Sequence, residues 1–137
     1  MTEIKLNAVS KGDALADRLI DFTVEIIKLV DTLPRTAVGK HIGGQLLSSG
    51  TSPGANYEES RGAESRADFV HKLSIVLKEL KESRFWLRTV QRSKILGTQQ
   101  VEPLLQECEE LCAIIGKSIV TSKEKRRNNK NQVKMTN

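Results

Sequence analysis

Aromatic residues are scarce in this chain: three Phe, one Tyr and one Trp, 4% of 137 residues. Strands favour aromatic and β-branched side chains, whereas Leu, Lys and Glu, the three commonest residues here, favour helices, so an all-α protein is expected. Cysteine is nearly absent. Cys108 and Cys112 lie four apart, which on a helix puts both on one face. With no second pair nearby they read as small apolar packing residues, not as metal ligands or a redox site. The two histidines, His41 and His71, are isolated. Neither follows a Glu by three residues, as a di-metal helical bundle needs, and neither has a Ser, Cys or Asp at a spacing that suggests a nucleophile and its base. No metal, no cofactor and no catalytic residue is therefore expected, and the chain reads as a non-enzyme. Gly39, Gly43 and Gly44 lack both a preceding strand and the Gly-Lys-Ser/Thr ending of a phosphate-binding loop. No apolar run approaches the roughly 18 residues of a membrane span, and the opening MTEIKLNAVSKGD lacks the apolar centre of a secretory signal. The expectation is a cytoplasmic protein with no membrane partner.

What the chain does have is charge, unevenly placed. The formal net charge is +5, and residues 123–137 account for all of it: Lys123, Lys125, Arg126, Arg127, Lys130 and Lys134 stand against Glu124 alone. Residues 1–122 are net neutral. An electrostatic partner is thus expected at the C-terminal end, where cations can neutralise phosphates. No aromatic is interleaved among these cations to read bases, so any RNA or DNA binding there is expected to be tolerant of sequence.

Hydrophobic periodicity outlines four helices. Leu15, Leu19, Phe22, Ile26 and Leu29 recur at steps of four and three, with Ala16, Ile20, Thr23, Ile27 and Val30 as a second row beside them. So wide a stripe suits a helix packed on two neighbours, or on a core and a subunit interface. Asp13 is the expected cap, and Pro34 ends the helix at Leu33. Despite its glycines, the segment 36–60 keeps a helical rhythm through Val38, Ile42, Gln45, Leu46, Ser49, Ser52, Asn56 and Glu59, with a kink expected at Pro53. Ser65 opens the third helix, which runs to Leu96 on a core row of Phe69, Leu73, Val76, Leu80, Leu87 and Val90; the polar Ser83 falls in that row. Gly97 closes it. After a turn over 98–102, Pro103 sits in the first turn of the last helix, whose stripe comprises Leu104, Leu105, Cys108, Leu111, Cys112, Ile115 and Ile119.

Beyond Thr121 no apolar face remains, and a disordered tail is expected. The fold class is accordingly all-α: an antiparallel up-down-up-down four-helix bundle with a disordered basic C-terminal tail. Its parts are an N-terminal extension over 1–12, the bundle over 13–122 and the flexible tail over 123–137.

Two pairs at helical spacing, Asn56 with Glu59 and Glu79 with Glu82, place carboxylates and an amide on two helix faces. If the faces meet, a structural polar network forms, with Asn56 bonding backbone or Glu79, and Glu59 meeting Arg66 or Lys72. The alternative is that these are solvated faces. Trp86 beside Phe85 reads as a core or interface pair in preference to a base-stacking one.

Several segments, taken in order, carry a family resemblance. They are Gln45, the small residues before the Ala55-Asn56 pair, Glu59, the run Glu64-Ser65-Arg66-Ala67-Asp68-Phe69 and the Leu-Lys-Glu-Leu that ends at Leu80. This order resembles the bacterial four-helix-bundle proteins associated with intervening sequences in 23S ribosomal RNA genes. The resemblance covers roughly residues 13 to 122. It implies an antiparallel four-helix bundle and a homo-oligomer, often a ring-shaped pentamer. A related branch serves diversity-generating retroelements, in which a basic oligomer binds reverse transcriptase and nucleic acid. Two functions follow as expectations: a self-assembling scaffold that engages RNA or DNA through Lys123, Lys125, Arg126, Arg127 and Lys130, or an adaptor for a reverse transcriptase or other enzyme.

Overall fold

Four α-helices and no strand make up residues 10–136, the part of the chain described by the computed structural model: α1 (Lys11–Asp31), α2 (Ala37–Arg61), α3 (Arg66–Ser93) and α4 (Thr98–Thr136). Hydroxyl caps fix three of the four starts. Ser10, Thr36 and Ser65 each accept a hydrogen bond from a backbone N–H three residues on, that of Asp13 (3.0 Å), Gly39 (3.1 Å) and Asp68 (3.0 Å). The first cap is therefore Ser10, not Asp13; Asp13 lies in the first turn, where its carboxylate complements the helix dipole. Of the expected N-terminal extension, residues 1–9 lie outside the described residues, and Lys11 and Gly12 already belong to α1.

The helix ends also move from their expected places. α1 stops at Asp31, where the Thr32 N–H turns back to Leu29 O at 3.0 Å. α3 stops at Ser93 and not at Leu96, because Lys94 adopts a left-handed conformation (φ 60°, ψ 25°) in which the helix cannot continue. α4 begins at Thr98, so Pro103 is its sixth residue and not part of its first turn. α2 runs unbroken through Pro53.

Each helix packs on the next, and α4 returns to α1; α1 does not approach α3, nor α2 approach α4. The shared core is almost entirely aliphatic. Leu19, Phe22 and Ile26 of α1, Leu46 of α2, Leu73, Val76, Leu80, Leu87 and Val90 of α3, and Val101, Cys108, Leu111 and Ile115 of α4 are all fully buried. Each such side chain contributes about 1.5–3 kcal/mol on leaving water. Phe69, expected in the α3 row, is only half-buried, and its neighbour Val70 takes the inward position. The second α1 row divides: Ala16 is buried, but Ile20 and Ile27 are 53% and 49% exposed.

The α1–α2 seam is tight because α2 offers small residues to it. A Cβ added to Gly50 would lie 2.7 Å from both γ-carbons of Ile26, and one added to Gly54 would lie 3.3 Å from Thr23 Oγ1. By contrast α1 and α4 meet sparsely. Between them lies an open groove of about 490 Å³ whose floor includes Phe22, Leu29 and Leu104 and whose rim carries Asp21, Glu25 and Glu107. A forked ion pair spans this seam: Arg18 Nε and Nη2 donate to Glu107 at 2.9 and 2.5 Å, and Nη2 reaches Glu110 at 3.1 Å.

Candidate nucleic-acid interface

The C-terminal cations sit on a helix. From Lys123 to Thr136, α4 continues past the bundle with every side chain exposed, which corrects the expectation of disorder there. The physical reason is local. No Gly or Pro follows Gly116, the segment consists largely of Lys, Arg, Glu, Gln and Asn, and the packed turns upstream have already met the cost of nucleation. Helical geometry then orders the charges: Lys123, Arg127, Lys130 and Lys134, at steps of four, three and four, share one face over about 16 Å, with Lys125 and Arg126 beside them. None of the six is in an ion pair among the described residues.

The expected polar network does not form. Asn56 is half-buried, and its carboxamide donates to Ser52 O of its own helix at 3.0 Å. Glu59 and Arg66 are exposed, and neither they nor the Glu79 carboxylate has a hydrogen-bond or ion-pair partner among the described residues. Lys72 pairs instead with Asp68, four residues back on its own helix, at 3.5 Å. At the depth where α2 and α3 touch, a carboxylate would be stranded from water, and small hydroxyls take the place. Ser83 Oγ lies 2.9 Å from Glu79 O and 3.2 Å from Ser49 Oγ, both serines fully buried. The polar Ser83 inside an apolar row was the visible signal for this contact.

Between α1 and α2, Arg61 pairs with Asp13, binding the end of α2 to the start of α1, and Tyr57 Oη lies 3.5 Å from Gly12 O. The Arg61 hydrogen bond, then that of Ser10, hold the Asp13 carboxyl below its ordinary value, and burial pushes the Tyr57 phenol up. The cysteines are buried as expected. Cys108 Sγ donates to Leu80 O at 3.2 Å; its neighbour Cys112, with burial added, pushes it up, while Cys108 and the cations Arg84 and Lys81 lower Cys112 to about 7.

The neutral body turns out to be divided. α1 carries five carboxylates and three cations, and residues 98–122 of α4 carry four and one, whereas α3 holds seven cations and three carboxylates. Sequence totals hide this because the excesses cancel. No helix among the described residues is long and apolar enough to cross a membrane, and no group of three or more metal-ligating side chains occurs among them.

With this architecture in view, the model of the 23S rRNA-intervening sequence protein family matches residues 14–117. The chain belongs to that family. The match covers the four packed helices and leaves the exposed end of α4 outside it. The chain is also similar to a crystallographically solved protein of unknown function from the S23 ribosomal protein family of Bacteroides thetaiotaomicron. The two are 34% identical, the alignment covers 80% of this chain and 98% of the other, and the TM-score is 0.74. No curated protein matches the chain.

Proposed function

We propose that this family member is a non-enzymatic scaffold that self-associates and presents its basic C-terminal helices to RNA or DNA. The observation that carries this reading is the exposed end of α4, six cations and one carboxylate on helical turns that bury nothing. A helix with no core to protect keeps its charges free for phosphates, and each neutralised phosphate releases counterions. Several copies in a ring, the pentamer that the family resemblance implies, would gather these helices and raise their local concentration.

The pair Asp13–Arg61 joins the start of α1 to the end of α2, which fits the antiparallel up-down-up-down order. One further observation supports the assembly. An apolar surface on α1, comprising Ile20, Val24 and Ile27, is left uncovered beside an open depression lined by Val30, Leu33, Gly43 and Leu47. Such a surface suits a second copy. It equally supports the second reading, an adaptor that covers this face with a partner enzyme such as a reverse transcriptase and uses no nucleic acid directly. Either role would suit a cytoplasmic protein, and no described helix is long and apolar enough to cross a membrane.

Fluorescence anisotropy of labelled structured RNA and duplex DNA separates the two. The full chain is titrated beside a full-length variant in which Lys123, Lys125, Arg126, Arg127 and Lys130 are all replaced by Gln. The scaffold reading expects salt-sensitive binding that the substitutions weaken at least tenfold. No binding by either form favours the adaptor.

A further inference from the structure

We infer that α3 carries a second polyanion site, distinct from the C-terminal helix, and that it is built for single-stranded nucleic acid. Lys81, Arg84, Phe85, Arg88, Thr89 and Arg92 line one depression on its outer surface, of about 330 Å³. Arg84, Arg88 and Arg92 recur every four residues, so their guanidinium groups follow one another at about 6 Å along the helix. No carboxylate occurs from Ser83 to Val101. None of these four cations is in an ion pair among the described residues. Glu82, next to Lys81 in the chain, is exposed but does not line the depression, so the cations that do line it are left to draw counter-charge from outside the molecule.

The aromatic within the ridge selects the occupant. Phe85 is 58% exposed and so is not a core residue, while Trp86 packs against the core. It stands edge-on to Trp86, with ring centroids 4.9 Å apart at 78°, and Trp86 meets His41 of α2 at 6.1 Å and 80°. Half-buried Trp86 thus backs the Phe85 ring while leaving a face open among cations. Guanidinium groups flanking an exposed aromatic ring can hold successive phosphates while a base stacks on the ring. Bases inside a duplex cannot reach such a ring, whereas those of a single strand can. An acidic peptide would use the charges but leave Phe85 without a role.

This inference adds a site to the nucleic-acid reading above and does not depend on the C-terminal cations. The test uses the full chain and its five-site Gln variant at 123, 125, 126, 127 and 130. In each background Phe85→Ala, Phe85→Trp and the pair Arg88→Gln, Arg92→Gln are made. Labelled oligo-uridine, oligo-thymidine and a duplex of equal length are titrated by anisotropy, with circular dichroism confirming that helicity is retained.

The expected result is that Phe85→Ala weakens both single strands about 5- to 100-fold and the duplex little, while Phe85→Trp keeps single-strand affinity. The double Arg substitution should lower the slope of log affinity against log salt by about 1.4, near 0.7 per lost contact. Uridine and thymidine oligomers separate RNA from DNA as the source of the strand. Unchanged single-strand affinity in the Phe85→Ala chain overturns the site, as does binding abolished by the five-site substitutions alone, which leaves the C-terminal reading standing. The converse, ridge variants that lose binding which the five-site variant keeps, supports the ridge and removes the C-terminal reading.

Discussion

At the scale of single residues, packing at the helix seams makes sharp distinctions among glycines that look alike in sequence. Gly50 faces the γ-carbons of fully buried Ile26, while Gly44 has nothing within 4 Å of an added Cβ. Gly50→Ala is expected to destabilise by about 1–3 kcal/mol through overpacking. Gly44→Ala should stabilise by about 0.5–1 kcal/mol, because a helical Ala loses less backbone entropy. Urea unfolding of both variants checks the pair, and equal midpoints would refute the seam geometry. Ser83→Ala removes the hydroxyl that joins Ser49 to α3 and should lose about 1 kcal/mol. Glu79→Ala, at a carboxylate without a partner, should stay within about 0.5 kcal/mol. The spacing of Asn56, Glu59 and Glu79 suggested a polar network that the fold does not form. Spacing along one helix shows which residues share a face, but not how deep that face lies in a seam. Ser83 was the better clue, because a polar residue in an apolar row has to find its partner inside.

At the scale of elements, the ends of the helices were less legible than their faces. Rows such as Leu19, Phe22, Ile26 and Leu73, Val76, Leu80 are buried as their period implies. A stop was misplaced where a residue adopts an uncommon conformation, as Lys94 does, and a start where the cap lies outside the apolar pattern, as Ser10 does. The Asp13–Arg61 pair gives the α1–α2 contact a pH dependence of known sign. The folded carboxyl is held below its unfolded value, so its contribution is present above about pH 4 and is lost as acid protonates it. Melting temperature should therefore fall on acidification from pH 5 to 2, and less steeply in Arg61→Gln; parallel curves for the two proteins would exclude the linkage. The C-terminal turns of α4 behave differently, since residues 123–136 bury nothing. Replacing Lys123, Lys125, Arg126, Arg127 and Lys130 by Gln should leave the melting temperature within a degree or two while it alters binding.

At the scale of the whole molecule, the neutral body and the basic end were read correctly as totals but not as a distribution. α3 holds most of the body's excess positive charge, and α1 with the packed part of α4 holds the negative excess. Only the three-dimensional placement exposes a cationic ridge around Phe85, because in the sequence its cations are offset by carboxylates elsewhere. Ile20 and Ile27 are uncovered, and the proposed assembly would bury them. In sedimentation velocity the wild-type chain should run as an oligomer, and Ile20→Glu with Ile27→Glu should shift it to monomer while circular dichroism keeps its helical signature. A wild-type chain that is already a monomer at micromolar concentration would remove the ring.

The central claim is that this bundle engages nucleic acid through charges its fold leaves free, and the salt dependence of binding tests it most directly. The affinity of the full wild-type chain for a labelled RNA, measured across a range of salt concentrations, should fall linearly on logarithmic axes, with a slope of several units that becomes shallower when the C-terminal cations are replaced by Gln. Binding too weak to detect even at low salt, or a slope near zero, would contradict the account.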